Sequence, residues 1–404
     1  MSRAALALVL AASTALGAEV ARDGNGGVLE VNGFYKNFLS GLWMPSTGKA
    51  GAVDANLVRA AARFRFEDRF EVEAAWQLAF VVASDPAFVS NASFRNTVGG
   101  TGAGPQRRLV ELGGTLHQSA TTRLDHQIDR LALKLPLPFG DLTVGRQVLS
   151  WGTGRFFNPT DVLSPFPPTA VDREVRRGFD AVRLAIALGD TTQLDLLYLP
   201  QPVAEDNGGV VRFQTNVSGW DGSISAGKYV RDFVIGFDLV GDIGVVGAHA
   251  EGAYTLELLT DGTVGEHFFR GVVGADFKPH EKIVVSAEYS YNGFGSSNPA
   301  RYLAILTSAR AQRGEVFGAG EHVVAAAASF LASEVLSAQL AVLCNVADPS
   351  ALAIVSAEYS LAQPVLVRAG LSVPIGRPPD ARGLRSEFGS GPFSAFVQLG
   401  LYLP

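Results

Sequence analysis

The chain has 404 residues, 47% of them hydrophobic and 18% charged, and its 33 basic and 39 acidic residues give a formal charge of −6. That balance argues against a nucleic-acid binder, and a mean hydropathy of +0.19 is high for a soluble secreted protein. Beyond the first residues no run approaches the roughly 18–20 apolar residues of a spanning helix, so the apolarity is distributed along the chain.

Met1, Ser2 and Arg3 form a short positive region, Ala4 to Ala12 an apolar one, and Ala15-Leu16-Gly17-Ala18 a small-residue cleavage site. Residues 1–18 are therefore expected to be a cleaved secretory signal peptide, leaving 19–404 as the mature chain. The lone cysteine, Cys344, can form no intrachain disulfide and reads as a packing residue.

From about Gly27 to Leu403, segments of roughly ten residues alternate apolar and polar side chains, joined alternately by very short and long connections. A strand that shows one face to lipid and the other to a lumen has this period of two. In chain order, an opening strand near 27–37 precedes the clearest hairpin, Asn56 to Val81. There Val58, Ala60, Ala62, Phe64 and Phe66 fall on one face and Arg59, Arg63 and Arg65 on the other. Further hairpins follow at about 125–149, 179–199, 209–229, 232–257, 266–292, 320–346 and 349–375, and a closing strand near 392–403. The pattern predicts an all-β antiparallel transmembrane barrel of about 18 strands; 16 is the alternative, because 321–345 is Ala-rich enough to pass for a helix.

An even count brings both termini to one side, taken as the periplasm with the short turns. The long connections, at about 38–54, 82–124, 150–178, 293–319 and 376–391, are placed outside. Aromatic girdles are expected from Phe64, Phe66, Phe139, Trp220, Phe277 and Tyr402 toward the periplasm, and from Phe80, Tyr198, Tyr254 and Tyr291 toward the exterior.

Gly145-Arg146-Gln147-Val148-Leu149-Ser150-Trp151-Gly152, followed by Phe157-Asn158-Pro159-Thr160-Asp161-Val162, resembles a pattern in Gram-negative porin-like outer-membrane proteins, with a distant likeness to alginate-export barrels. The closing Gln398-Leu399-Gly400-Leu401-Tyr402-Leu403-Pro404 departs from the terminal aromatic usual in such barrels. The resemblance implies that the third external loop, about 150–178, folds into the lumen. It would then form the pore constriction with Arg155, Asp161, Asp172, Arg173, Glu174, Arg176 and Arg177. The same charges would equally suit an external lid, and four prolines stiffen the segment in either case.

On the strands, Arg59, Arg63, Arg65, Arg130, Lys134, Arg183 and Arg212 are expected to line the lumen on one wall, with Glu251, Glu288 and Glu358 on another and Arg270 and Arg368 interspersed. Opposed walls would set up a transverse field favouring small polar solutes; cross-strand pairing of the same charges is the alternative. The six histidines, His117, His126, His249, His267, His280 and His322, make no zinc motif, and no Gly-x-Ser-x-Gly elbow occurs. Gly99 to Gly104 reads as linker rather than a phosphate loop. No catalytic residue, metal or cofactor is expected. The leading expectation is a channel in the cell outer membrane, bound by its lipids as monomer or homotrimer, for passive diffusion of small hydrophilic solutes or ions. The alternatives are polysaccharide export or anchoring, and a non-conducting surface-binding barrel.

Overall fold

The computed structural model of the chain describes residues 21–22, 26–44, 47–89, 108–259 and 263–403. The expected signal peptide and Gly99 to Gly104 lie outside these residues. Among the described residues, eighteen strands of one antiparallel sheet make the barrel wall: β1 Gly27–Met44, β2 Lys49–Phe66, β3 Phe70–Ala83, β4 Thr122–Leu137, β5 Gly140–Gln147 and β6 Phe179–Ala187. They continue as β7 Gln193–Leu199, β8 Gly208–Val217, β9 Trp220–Tyr229, β10 Asp232–Ile243, β11 Val246–Leu258 and β12 Val264–His280. The last six are β13 Ile283–Asn292, β14 His322–Ser333, β15 Leu336–Asn345, β16 Ser350–Ala362, β17 Val365–Ile375 and β18 Phe393–Leu403. Pairing of β18 with β1, from Gly33 opposite Leu403 to Trp43 opposite Phe393, closes the barrel, so neither of these two strands is left as a sheet edge along that stretch.

Connections of two to five residues join the strands at one end of the barrel, whereas the other end carries the long segments 84–121, 148–178, 293–321 and 376–392. The expected long connection at 38–54 is corrected to residues 45–48, because β1 and β2 stay in register from Gly27 opposite Phe66 to Met44 opposite Lys49. The period of two runs on through the Ser and Gly that read as loop, and Phe38 on this stretch stacks against Phe396 at 5.2 Å. The segment 82–124, read as a single loop, contains a short strand, Gly113–Gln118, paired with β4. That strand supplies backbone partners to the upper part of β4, which reaches past the end of short β5. The Ala-rich stretch is two strands, β14 and β15, with Ala327 opposite Ala341.

Alternation separates an apolar face from a polar one. Trp76, Ile224 and Val273 are exposed on the first, while Gln77, Ser223 and Val272 beside them are buried on the second. A bulge in β4 interrupts the alternation: Ala75 pairs with Arg130 and Trp76 with Ile128, so the consecutive residues Asp129 and Arg130 both reach the polar face. Tyr402, expected in a girdle, is corrected to the polar face, because its hydroxyl donates to Glu174 at 2.8 Å and its ring lies 6.0 Å from Phe34.

Candidate functional site

The Gly-Arg-Gln motif closes β5 at the point where the chain leaves the wall. Gly145 has φ +118°, and a Cβ there would stand 2.3 Å from the Leu131 carbonyl oxygen, so only glycine fits. The Arg146 side chain is 1% exposed and forks onto Asp180, with Nε to Oδ1 at 2.9 Å and Nη2 to Oδ2 at 3.1 Å. Its remaining N–H groups donate to the carbonyls of Ile128, at 2.8 Å, and Val110. Asp180 also accepts from the backbone N–H of Leu109 and Val110, and Gln147 donates to the Ala181 carbonyl at 3.1 Å. A buried guanidinium with its fork filled thus stitches β4, β5, β6 and the 108–112 segment together around the exit of residues 148–178.

That segment touches polar-face side chains around most of the barrel. Trp151, Val162 and Leu163 pack on Phe179, Leu197, Val210, Tyr229, Val234 and Ala253, from β6 to β11. Phe156 packs on Val323, Ala325 and Leu343, and Val171 and Val175 reach clusters containing Phe38, Phe396 and Phe34. Two buried glutamates hold its main chain. Glu251 accepts from Thr153 N at 2.9 Å, Gly154 N at 3.3 Å, Thr160 N at 2.6 Å and Thr160 Oγ1 at 2.7 Å. Glu288 accepts from the amides of Arg155, Phe156 (2.9 Å) and Phe157 (3.2 Å), and its other contact is His249 Nε2 at 2.9 Å. A carboxylate out of water needs such a set of donors in place of hydration. At the far end Asp172 takes Lys36 Nζ at 2.6 Å and Gln398 Nε2 at 3.0 Å, while Arg368 donates to the Val171 carbonyl at 3.1 Å.

Between the segment and β13–β18 with β1 lies a cavity of about 650 Å³. Four of the seven expected constriction residues border it: Arg155, Asp172, Arg173 and Glu174, joined by Lys36, Glu358 and Arg368. On the facing wall Ser286, Ala327, Ser329, Gln339, Ala341 and Ser356 are uncharged and mostly small, beside the larger Ile354 and Leu366 and the charged Glu358 and Arg368 of β16 and β17. Arg155 pairs with Asp276 at 2.8 Å, a hydrogen-bonded contact that raises the guanidinium above its ordinary pKa. Arg173 donates only to carbonyls, those of Arg155 at 2.8 Å, Pro168 at 2.7 Å and Ala170 at 3.3 Å. Asp161 and Arg176 are brought together away from this cavity, with Arg176 also over the Phe166 ring at 4.7 Å, and the Arg177 carbonyl accepts from Ser164 at 2.8 Å.

Of the other charges expected on the walls, Arg270 donates to the carbonyls of Glu315 at 2.6 Å and Pro159 at 3.3 Å, and the rest stand in ion pairs or hold the segment. Arg59 and Arg130 share Asp129 at 3.5 and 2.9 Å, Arg63 and Arg65 share Glu71 at 3.2 and 3.3 Å, and Lys134 meets Asp141 at 3.0 Å. Arg183 meets Asp195 at 2.7 Å, Arg212 meets Asp238 at 3.5 Å, and Glu358 holds Arg368. Sequence reasoning passed over the aspartates: Asp141 and Asp195 stand on the strands next to Lys134 and Arg183, whereas Asp238 and Asp129 lie two strands from Arg212 and Arg59, and they become partners only once register is fixed. Lys36 and Gln398 were also passed over, although each keeps the polar phase of its strand.

Among solved structures, Pseudomonas aeruginosa OccK5 (OpdH) matches over 93% of this chain and 98% of its own, with TM-score 0.57 and 10% identity. P. aeruginosa OccK11 (OpdR) matches over 93% and 96%, with TM-score 0.55 and 14% identity. Acinetobacter baumannii OccAB4 covers 94% and 99%, with TM-score 0.53 and 9% identity. What they share with this chain is the fold, a closed antiparallel barrel of 18 strands. At these identities the likeness speaks for architecture alone. No protein-family model matches the sequence, and no curated protein matches it either.

Proposed function

We propose that the protein is a porin-type channel of the outer membrane, passing small hydrophilic solutes down their gradients, with the polar face as the wall of a water-filled lumen and segment 148–178 as its constriction. The cavity of about 650 Å³ beside Arg155, Asp172, Arg173 and Glu174 carries this reading. A charged face borne by the segment, opposite a strand wall of mostly small uncharged side chains whose Glu358 and Arg368 are paired with each other, makes a polar passage that offers a permeant few tight holds, as conduction requires. The apolar face meets lipid, the turn end faces the periplasm and the long connections face outward, after removal of residues 1–18 as signal peptide. The passage involves no chemical step and needs no cofactor, and the reading holds for a monomer or a homotrimer.

The finer likeness to alginate-export barrels would ask for a lumen that attracts a polyanion. Pairing of Arg183 with Asp195, Arg212 with Asp238 and Arg59 with Asp129 spends most of that attraction inside the wall, which favours the small-solute reading. The test is single-channel recording of the refolded mature chain in a planar bilayer, with the reversal potential read under a salt gradient. Stepwise conductance is expected; a correctly folded but silent barrel would overturn the channel and leave export or surface binding.

A further inference from the structure

We infer that Glu251 and Glu288 are positioning residues that keep the passage open, by drawing the constriction segment against β11–β13 and away from the cavity; this rests on the channel reading above. Both side chains belong to the same sector of wall, and the cavity lies beyond the segment, along β13–β18 and β1. Together they accept from six backbone amides of the segment, those of Thr153, Gly154, Arg155, Phe156, Phe157 and Thr160. A segment released from them has the cavity as the space into which to move.

The surrounding glycines fit this use. Gly152 has φ +92°, and a Cβ on it would stand 2.7 Å from a Glu251 carboxylate oxygen, so the glycine lets the main chain approach the acid. His249, Gly274 and Glu288 stand abreast on β11, β12 and β13. A Cβ on Gly274 would meet His249 Nε2 at 2.3 Å and Glu288 Cγ at 2.7 Å. The bare position therefore admits the imidazole contact that steadies Glu288 under the amides, as an outer partner orients a binding carboxylate.

The experiment compares wild type with Glu251→Gln, Glu288→Gln and the milder Thr160→Val, which removes only the hydroxyl that donates to Glu251. Each is refolded as the full mature chain, checked for wild-type strand content by circular dichroism, and recorded in planar bilayers. Gln keeps the volume but presents an amide N–H₂ to donors, so closures are expected about tenfold more often, with the open step unchanged. Glu288→Asp, which keeps the charge, should restore part of the steady opening. Thr160→Val should give a smaller change of the same sign, and it carries the test where a Gln variant does not fold. Closing rates equal to wild type, or a steady larger conductance from a segment that leaves the passage, would overturn the inference while the channel reading stands. A silent wild type overturns the channel reading, and this inference with it.

Discussion

Arg173 borders the cavity with its guanidinium satisfied by main-chain carbonyls, whereas Arg155 and Arg368 beside it each hold a carboxylate. Its charge is therefore the least compensated of the three. Arg173→Glu is expected to move the reversal potential toward cation preference, changing the permeability ratio severalfold, because a single charge at a narrow point biases what passes. Arg176 gives the contrast: its partner Asp161 is buried away from the cavity, so Arg176→Ala should leave ion preference nearly unchanged. It should instead cost roughly 3 kcal/mol in a denaturant titration, since Asp161 loses its ion-pair partner. Both residues were legible from composition and from their place after the Gly-Arg-Gln motif. Which of them borders the cavity was not, because that depends on which side of the segment each side chain leaves, and no sequence period governs an irregular stretch.

At the level of elements, the barrel strands were readable because the period of two survives in nearly every one, and most of the turns carry Gly, Asp or Pro. The misread places have specific causes. In β1 the residues after Asn37 mix Ser and Gly with apolar side chains, yet pairing with β2 and β18 carries the strand on to Met44. The bulge at Asp129 puts two consecutive residues on one face, which alternation cannot foresee, and so hid the acid that Arg59 and Arg130 share. The seam at β5 is the element most exposed to substitution. Arg146→Ala would take from Asp180 its counter-charge, leaving it two amide donors, and from two carbonyls their donor, and is expected to lower stability by about 3 kcal/mol. Arg146→Lys should recover only part of this, because an ammonium cannot fill the bidentate fork. Unfolding in guanidinium followed by tryptophan emission measures both, and equal stability of the three chains would contradict the clamp.

Over the whole molecule, segment 148–178 is a strut from β11 and β13 to the closing pair of strands. Asp172 takes Lys36 from β1 and Gln398 from β18 at 2.6 and 3.0 Å, partners 136 and 226 residues distant in the chain. Asp172→Asn should weaken this end of the strut and lower the thermal midpoint, whereas strand content at low temperature should remain that of wild type. The same three residues have a consequence for how the barrel is made. Lys36 belongs to β1 and Gln398 to β18, the two strands whose pairing closes the barrel, so the pocket for Asp172 exists only after the sheet has met itself. Until then the carboxylate lacks one of the two donors that the barrel wall gives it, and docking of the strut acts as a check that closure is complete: an arrested, open-seamed barrel would carry its own constriction undocked.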